Sequence, residues 1–169
     1  MLQKSIYPSP LGEILLAGDE EAITGLWFRG AKYAELGLSP DTPVGTTQAI
    51  AQAEKWLDIF FSGSEPDFLP PLRPAGSPFR QKVFRLLRQI PRGQTVTYGE
   101  LARALGCKSA QAVGGAVGHN PISIMIPCHR VVGTDGSLTG YAGGLARKQW
   151  LLNLEKADLP CRWAATLLP

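Results

Sequence analysis

Thr97-Tyr98-Gly99-Glu100-Leu101-Ala102-Arg103-Ala104-Leu105-Gly106-Cys107-Lys108-Ser109-Ala110-Gln111-Ala112-Val113-Gly114-Gly115-Ala116-Val117-Gly118 reads as two short helices joined by a tight turn, and this decides the fold of the second half of the chain. Thr97 with Glu100 three residues later forms a capping box, in which a hydroxyl and a carboxylate each accept a backbone N–H of the first helical turn. Gly106 ends that helix, because glycine enters the left-handed conformation without a Cβ clash. Ser109 caps the helix that follows it. Helix, tight turn, helix is the outline of a helix-turn-helix, although a generic helix pair has the same spacing. The second helix carries almost no side chains at Ala110, Ala112, Gly114, Gly115, Ala116 and Gly118. Each interior glycine costs about 1 kcal/mol relative to alanine. Something must therefore come close to it, either a neighbouring helix or a body outside the chain.

Working outward, Ser77-Pro78 gives an N-cap followed by proline at the first helical position, and Phe79, Val83, Leu86, Leu87 and Ile90 form one apolar stripe that Pro91 stops. Residues 68–77 crowd Pro70, Pro71, Pro74 and Gly76 into a stretch that forbids a continuous helix or ladder. This marks a boundary: an N-terminal domain over 1–72, a linker over 73–77 and a C-terminal domain over 78–169. In the first domain, residues 12–17 and 22–28 are strand-like runs around the acidic turn Gly18-Asp19-Glu20-Glu21 and suggest a hairpin. Residues 46–61 read as a helix with Ile50, Ala53, Trp56, Leu57 and Phe60 on one face. No catalytic constellation is found there, and a scaffold role is expected.

With 169 residues, 44% hydrophobic and 18% charged, the chain can bury one core or two small ones. No segment is apolar for long enough to span a membrane, and the N-terminus lacks the apolar core of a signal peptide, so a cytoplasmic protein is expected. Cysteines at 107, 128 and 161 are odd in number and lack zinc spacing, and only His119 and His129 could assist. Neither a disulfide framework nor a metal is expected. The net charge of +3 hides an asymmetry. Residues 1–72 hold four basic against ten acidic side chains, net −6, and residues 73–169 hold thirteen against four, net +9. Arg80, Lys82, Arg85, Arg88 and Arg92 suit a solvated helix face, but a whole domain this basic favours a nucleic-acid footprint, since Lys and Arg neutralise phosphate.

The chemistry is carried by Ile126-Pro127-Cys128-His129-Arg130-Val131. A thiolate is the reactive form of cysteine, and a neighbouring imidazole or cation is the usual means of lowering the thiol pKa from about 8.5. Together with Ala112-Val113-Gly114-Gly115-Ala116, Asn120-Pro121 and Tyr141-Ala142-Gly143-Gly144-Leu145, this segment resembles the O6-alkylguanine-DNA alkyltransferase family, the methylated-DNA:protein-cysteine methyltransferases. The likeness is close over residues 78–156 and looser at the N-terminal Ser9-Pro10-Leu11-Gly12 hairpin.

The resemblance implies an α/β chain: a ribonuclease-H-like scaffold followed by a winged helix-turn-helix domain. It implies a monomer acting on double-stranded DNA through the minor groove. Cys128 would accept the alkyl group of a flipped O6-alkylguanine, or O4-alkylthymine, once and irreversibly, without a cofactor. His129 would take the thiol proton, Glu155 would orient His129, Asn120 would act as a hinge, and Tyr98 would assist the departing base. The DNA face would comprise Ser109, Ala110, Gln111, Ala112, Gly114 and Gly115, and the pocket Pro127, Val131, Tyr141 and Ala142. Read from the residues alone, Glu155 suits a solvated acid, Asn120 a helix cap, Arg130 a brace for its loop, and Lys148 has no assigned role. Two positions depart from the family pattern. Gln111 stands where an intercalating arginine is common, and Ala142 where many relatives have serine. A helix-turn-helix regulator, a cysteine hydrolase and a non-catalytic lesion-binding protein are the alternative functions.

Overall fold

A computed structural model describes residues 1–155, so Cys161 and the rest of 156–169 lie outside the described residues. The chain divides into two compact units. The first comprises Met1–Ala75 with Pro121–Ser123, and the second comprises Gly76–Asn120 and the chain from Ile124 onward.

The first unit is a three-stranded antiparallel sheet covered by one helix. Strands β1 (Gln3–Ser9), β2 (Gly12–Gly18) and β3 (Ile23–Phe28) lie in sequence order, with Ser9 opposite Gly12 and Leu16 opposite Leu26. Strand β2 is central, and its residues from Ile14 alternate between two covered faces. Leu15, Ala17 and Trp27 share one face with Ala34 and Leu38 packed against them. Ile14, Leu16, Leu26 and Phe28 occupy the other. Helix α1 (Gln48–Phe61) starts where Thr47 Oγ1 accepts the Ile50 N–H at 3.1 Å, and it buries Ala49, Ile50, Ala53, Trp56, Leu57 and Phe60. Each large apolar side chain buried this fully contributes roughly 1.5–3 kcal/mol. Strand β1 is not read from periodicity, because an edge strand with an exposed Ile6 and a Pro8 carries no clean apolar alternation; only the resemblance implied a hairpin at Ser9–Gly12. The proline-rich stretch is bonded to β3. Ile23 N–H donates to Pro71 O and Arg73 N–H to Ile23 O, both at 2.8 Å, while the Arg73 guanidinium pairs with Asp19. Pro121–Ser123 lies along the same strand, with Leu26 N–H donating to Pro121 O and Ser123 N–H to Leu26 O.

The second unit begins with α2 (Pro78–Leu87), capped by Ser77 Oγ on the Arg80 N–H, and turns at Ile90. Strand β4 (Val96–Thr97) leads into α3 (Tyr98–Ala104), where both bonds of the capping box form. Gly106, with φ of +65°, reverses the chain toward Ser109 and α4 (Ala110–Gly118). A single 3-10 turn (Cys128–Arg130) feeds β5 (Val131–Val132), which pairs in parallel with β4, Val96 opposite Val131. Helix α5 (Leu145–Leu154) completes the described part. Val83, Phe84, Leu87, Leu101, Val113, Val117, Leu151 and Leu152 form its core. Among the described residues no helix is long and apolar enough to cross a membrane.

Candidate active site

Cys128 is placed by backbone chemistry. Its N–H donates to Ile126 O at 2.7 Å across Pro127, whose φ of −80° and ψ of 66° make an inverse γ-turn. Asn120, just beyond α4, donates from Nδ2 to the same Ile126 oxygen at 2.7 Å. His119, not Asn120, caps α4, so the Asn120 amide is committed to this turn. Between them, buried Ile124 has φ of +70°, a left-handed conformation that a β-branched side chain adopts only under strain of about 1–3 kcal/mol. The chain therefore reaches the cysteine through a strained, doubly tied segment.

Burial pushes the Cys128 thiol up, while a hydrogen bond from the Asn120 side chain and the charge of Lys148 pull it down. Tyr98, the first residue of α3, is pushed up to about 12 by burial and by the nearby thiolate, so its phenol keeps its proton. His129 is fully buried, and its Nε2 lies 3.0 Å from Glu155 Oε2. Its Nδ1 has no hydrogen-bond partner among the described residues. Glu155 caps the end of α5 and is only 5% exposed. Arg130 engages it twice, Nε to Oε1 at 3.0 Å and Nη2 to Oε2 at 2.6 Å, and reaches Ile90 O through Nη1 at 2.6 Å. Burial opposes the Glu155 charge, but His129 and Arg130 hold the carboxyl low, at about 2. Burial, aided by the Arg130 and Lys148 charges, keeps the His129 ring neutral despite the carboxylate.

The other wall is a glycine-rich loop. Tyr98 Oη donates to Gly140 O at 3.0 Å and Thr139 O at 3.3 Å, and Lys148 Nζ donates to the same two carbonyls at 3.3 and 2.8 Å. Tyr141 and Ala142 follow, each partly buried, while Pro127 and Val131 are buried beside Cys128 in the chain. Cys128, Asn120, Tyr98, His129 and Glu155 thus gather in one unit. The α4 residues make a separate surface: Ser109, Ala110, Gln111, Ala112 and Gly115 are exposed and Gly114 is half-exposed. A Cβ built on Gly114, Gly115 or Gly118 meets nothing within 4 Å, so among the described residues no neighbouring helix explains these glycines. Cys107 sits half-buried in the turn before α4, its Sγ 3.5 Å from Ser109 O. Among the described residues no three His, Cys, Asp or Glu side chains cluster to hold a metal.

Read from the residues alone, Glu155 suited a solvated acid and Lys148 had no role; the fold buries both, and the Lys148 ammonium is held by the Thr139 and Gly140 carbonyls. A signal existed. Lys148, Leu151, Leu152 and Glu155 follow the i, i+3, i+4, i+7 spacing of one helix face, which puts two charges on the apolar stripe.

Comparison with known proteins accounts for both units. Residues 2–74 match the ribonuclease-like domain of 6-O-methylguanine DNA methyltransferase, and residues 78–157 match its DNA binding domain. A methylated-DNA–protein-cysteine methyltransferase of Methanosarcina acetivorans is 44% identical over 153 residues, covering 89% of this chain and 96% of that one. Its counterpart in Haemophilus influenzae is 43% identical over 160 residues, covering 92% and 87%. A crystal structure of Mycobacterium tuberculosis OGT in complex with DNA has a TM-score of 0.81 at 38% identity and covers 98% of both chains. Two family models that together span nearly the whole described chain, and relatives above 40% identity along most of it, show that the chain belongs to the 6-O-methylguanine DNA methyltransferase family.

Proposed function

We propose that this protein repairs DNA by direct reversal, moving the alkyl group of O6-alkylguanine, and of O4-alkylthymine, onto Cys128 in a single irreversible turnover. The observation that carries this reading is the buried Cys128 thiol, on a turn tied by the Asn120 amide and next in the chain to the buried His129–Glu155 pair, in a chain of this family. The thiol proton passes to His129 Nδ1 through a bridging water, Glu155 having fixed the ring through Nε2. The sulfur electron pair then attacks the alkyl carbon. The carbon–O6 bond breaks, its pair stays on guanine, and Tyr98 lends a proton as charge develops on the base. A thioether remains, which has no ready way back. The reaction needs no cofactor.

Because O6 lies inside the duplex, the nucleotide must be flipped out, at a cost of a few kcal/mol. The helices α3 and α4 act as the helix-turn-helix of a winged domain over residues 78–169, with α4 in the minor groove. Residues 1–72 act as a ribonuclease-H-like scaffold, joined through 73–77. Gln111 fills the space left by the base without the charge or stacking plane of arginine, and Ala142 offers only its backbone N–H toward O6. The protein acts as a monomer in the cytoplasm. Intact mass spectrometry after incubation with an O6-methylguanine duplex tests the reading: one methyl on Cys128 is expected. A protein that binds the duplex and gains no mass is instead a non-catalytic lesion-binding relative.

The bare face of α4 gives a separate test. Gly115→Ala has room for its Cβ and should leave stability unchanged or raise it by about 0.4–1 kcal/mol, because alanine restricts the unfolded chain. The bulkier Gly115→Leu should fold equally well yet lose duplex affinity by tenfold or more, about 1.4 kcal/mol, if this face meets the groove. Thermal melts and fluorescence anisotropy read the two effects apart. Full duplex affinity in Gly115→Leu rules out contact through α4.

A further inference from the structure

The ring of His119 closes the end of α4, and its geometry fixes which ring nitrogen carries the proton. Nδ1 lies 2.7 Å from Gly115 O, the same oxygen that accepts the His119 backbone N–H at 3.1 Å. A carbonyl oxygen only accepts, so Nδ1 must be the donor, and the neutral imidazole then carries its lone pair on Nε2. Gln111, Gly115 and His119 follow i, i+4 and i+8 and so share one side of the helix and its cap, while Val113, Ala116 and Val117 are buried on the opposite side. Gln111 and Gly115 are exposed, and His119 is half-buried. Two polar side chains therefore flank a stretch in which Gly114, Gly115 and Gly118 offer only backbone.

We infer that His119 reads a guanine in the minor groove, a few base pairs from the flipped nucleotide, by accepting the N2–H of that guanine at Nε2. This rests on the reading that α4 lies in that groove. The minor groove displays only acceptors at A·T pairs and one added donor, the guanine amino group, at G·C pairs. A ring whose proton is committed to Gly115 O complements the guanine donor, whereas against adenine N3 or thymine O2 its lone pair meets another lone pair. The spacing gives the position. Eight residues of helix rise about 12 Å, which at about 3.4 Å per step spans roughly three to four base pairs. With Gln111 in the space left by the flipped base, His119 falls that far along the groove. The sequence around a lesion, and not only the lesion, then decides how well it is held. A cap role alone, in which the ring only satisfies Gly115 O, gives no dependence on DNA sequence.

The test replaces single guanines by inosine, which lacks the N2 amino group, at each position out to about five pairs on either side of an O6-methylguanine. Affinity is read by anisotropy with full-length Cys128→Ser, which holds the lesion without consuming it, and initial transfer rates of the parent chain repeat the comparison. Assays at about pH 8.5, well above the ordinary imidazole pKa of about 6.5, keep an ordinary histidine ring neutral. Inosine at one position, roughly three to four pairs from the lesion, should weaken binding by about three- to tenfold, the worth of one hydrogen bond. His119→Phe keeps a ring and loses both nitrogens, so guanine and inosine duplexes should bind it equally. Crossing the protein change with the base change cancels the effect of inosine on the duplex itself. If inosine weakens binding at no position, the inference is overturned without any variant of His119. A loss that persists undiminished in His119→Phe overturns it as well, because another group is then the reader. Failure of the groove reading looks different, since Gly115→Leu would then keep full duplex affinity; failure of His119 alone leaves the Gly115→Leu loss in place.

Discussion

In Cys128→Ser, alkyl transfer is expected to vanish while binding to an O6-methylguanine duplex stays within about threefold, or 0.7 kcal/mol. The reason is the pKa of the nucleophile. A serine hydroxyl lies far above any range that one ammonium and one amide can compensate in a site where burial already raises the thiol. The volume change is small, so the Pro127 turn and the Asn120 bond to Ile126 O should persist. Intact mass after incubation checks the first half and anisotropy the second. Methyl addition at Cys107 or Cys161 in this variant would sink the assignment of Cys128.

Glu155→Gln should produce the largest loss of stability of any single conservative change in the site. The carboxylate receives two bonds from Arg130 and one contact from His129, and removing its charge leaves a guanidinium facing a neutral amide. Breaking a buried pair in this way costs about 3–5 kcal/mol. Arg130 keeps 12% of its side chain exposed, so the lower end is expected. The pH dependence has a definite sign. A carboxyl held at about 2 in the fold, against an ordinary 4.5, gives stability that is complete above 4.5 and lost as pH falls toward 2. Denaturant melts across that window should show the loss in the parent protein and a flatter profile in Glu155→Gln. Transfer should also slow more than duplex binding weakens, because the amide no longer supports the basicity of His129. Identical pH–rate profiles from neutral to mildly acidic conditions would mean that Glu155 braces Arg130 and has no part in moving the proton.

The caps at Ser77, Thr97 and Ser109 and the turn at Gly106 were legible in the sequence because each is decided by chemistry within four residues. The apolar stripe of α1 was legible for the same reason, through its period. Strand β1 was not, since an edge strand borrows its regularity from β2. Within the site, Cys128 and His129 stood out by adjacency. Burial of Glu155 depends on Arg130 and Ile90, twenty-five and sixty-five positions away, and burial of Lys148 depends on the carbonyls of a glycine-rich loop. No local rule counts such partners. What remained visible was the periodicity of 148, 151, 152 and 155, which gives the face of a charge without its counterpart.

Pro121–Ser123 belongs with the first unit, although Asn120 before it and Ile124 after it belong with the second. The chain therefore leaves the cysteine-bearing unit between α4 and Cys128, lends one bridge to β3 through Leu26, and returns. No single cut yields two self-contained modules. A fragment severed at residue 75 would carry Ile122 away from its strand, in the same short segment whose Asn120 and Ile126 hold the cysteine turn. The nucleophile and the scaffold are thus interleaved in sequence, and a swap of the scaffold between relatives must carry three residues from the far side of α4 along with it.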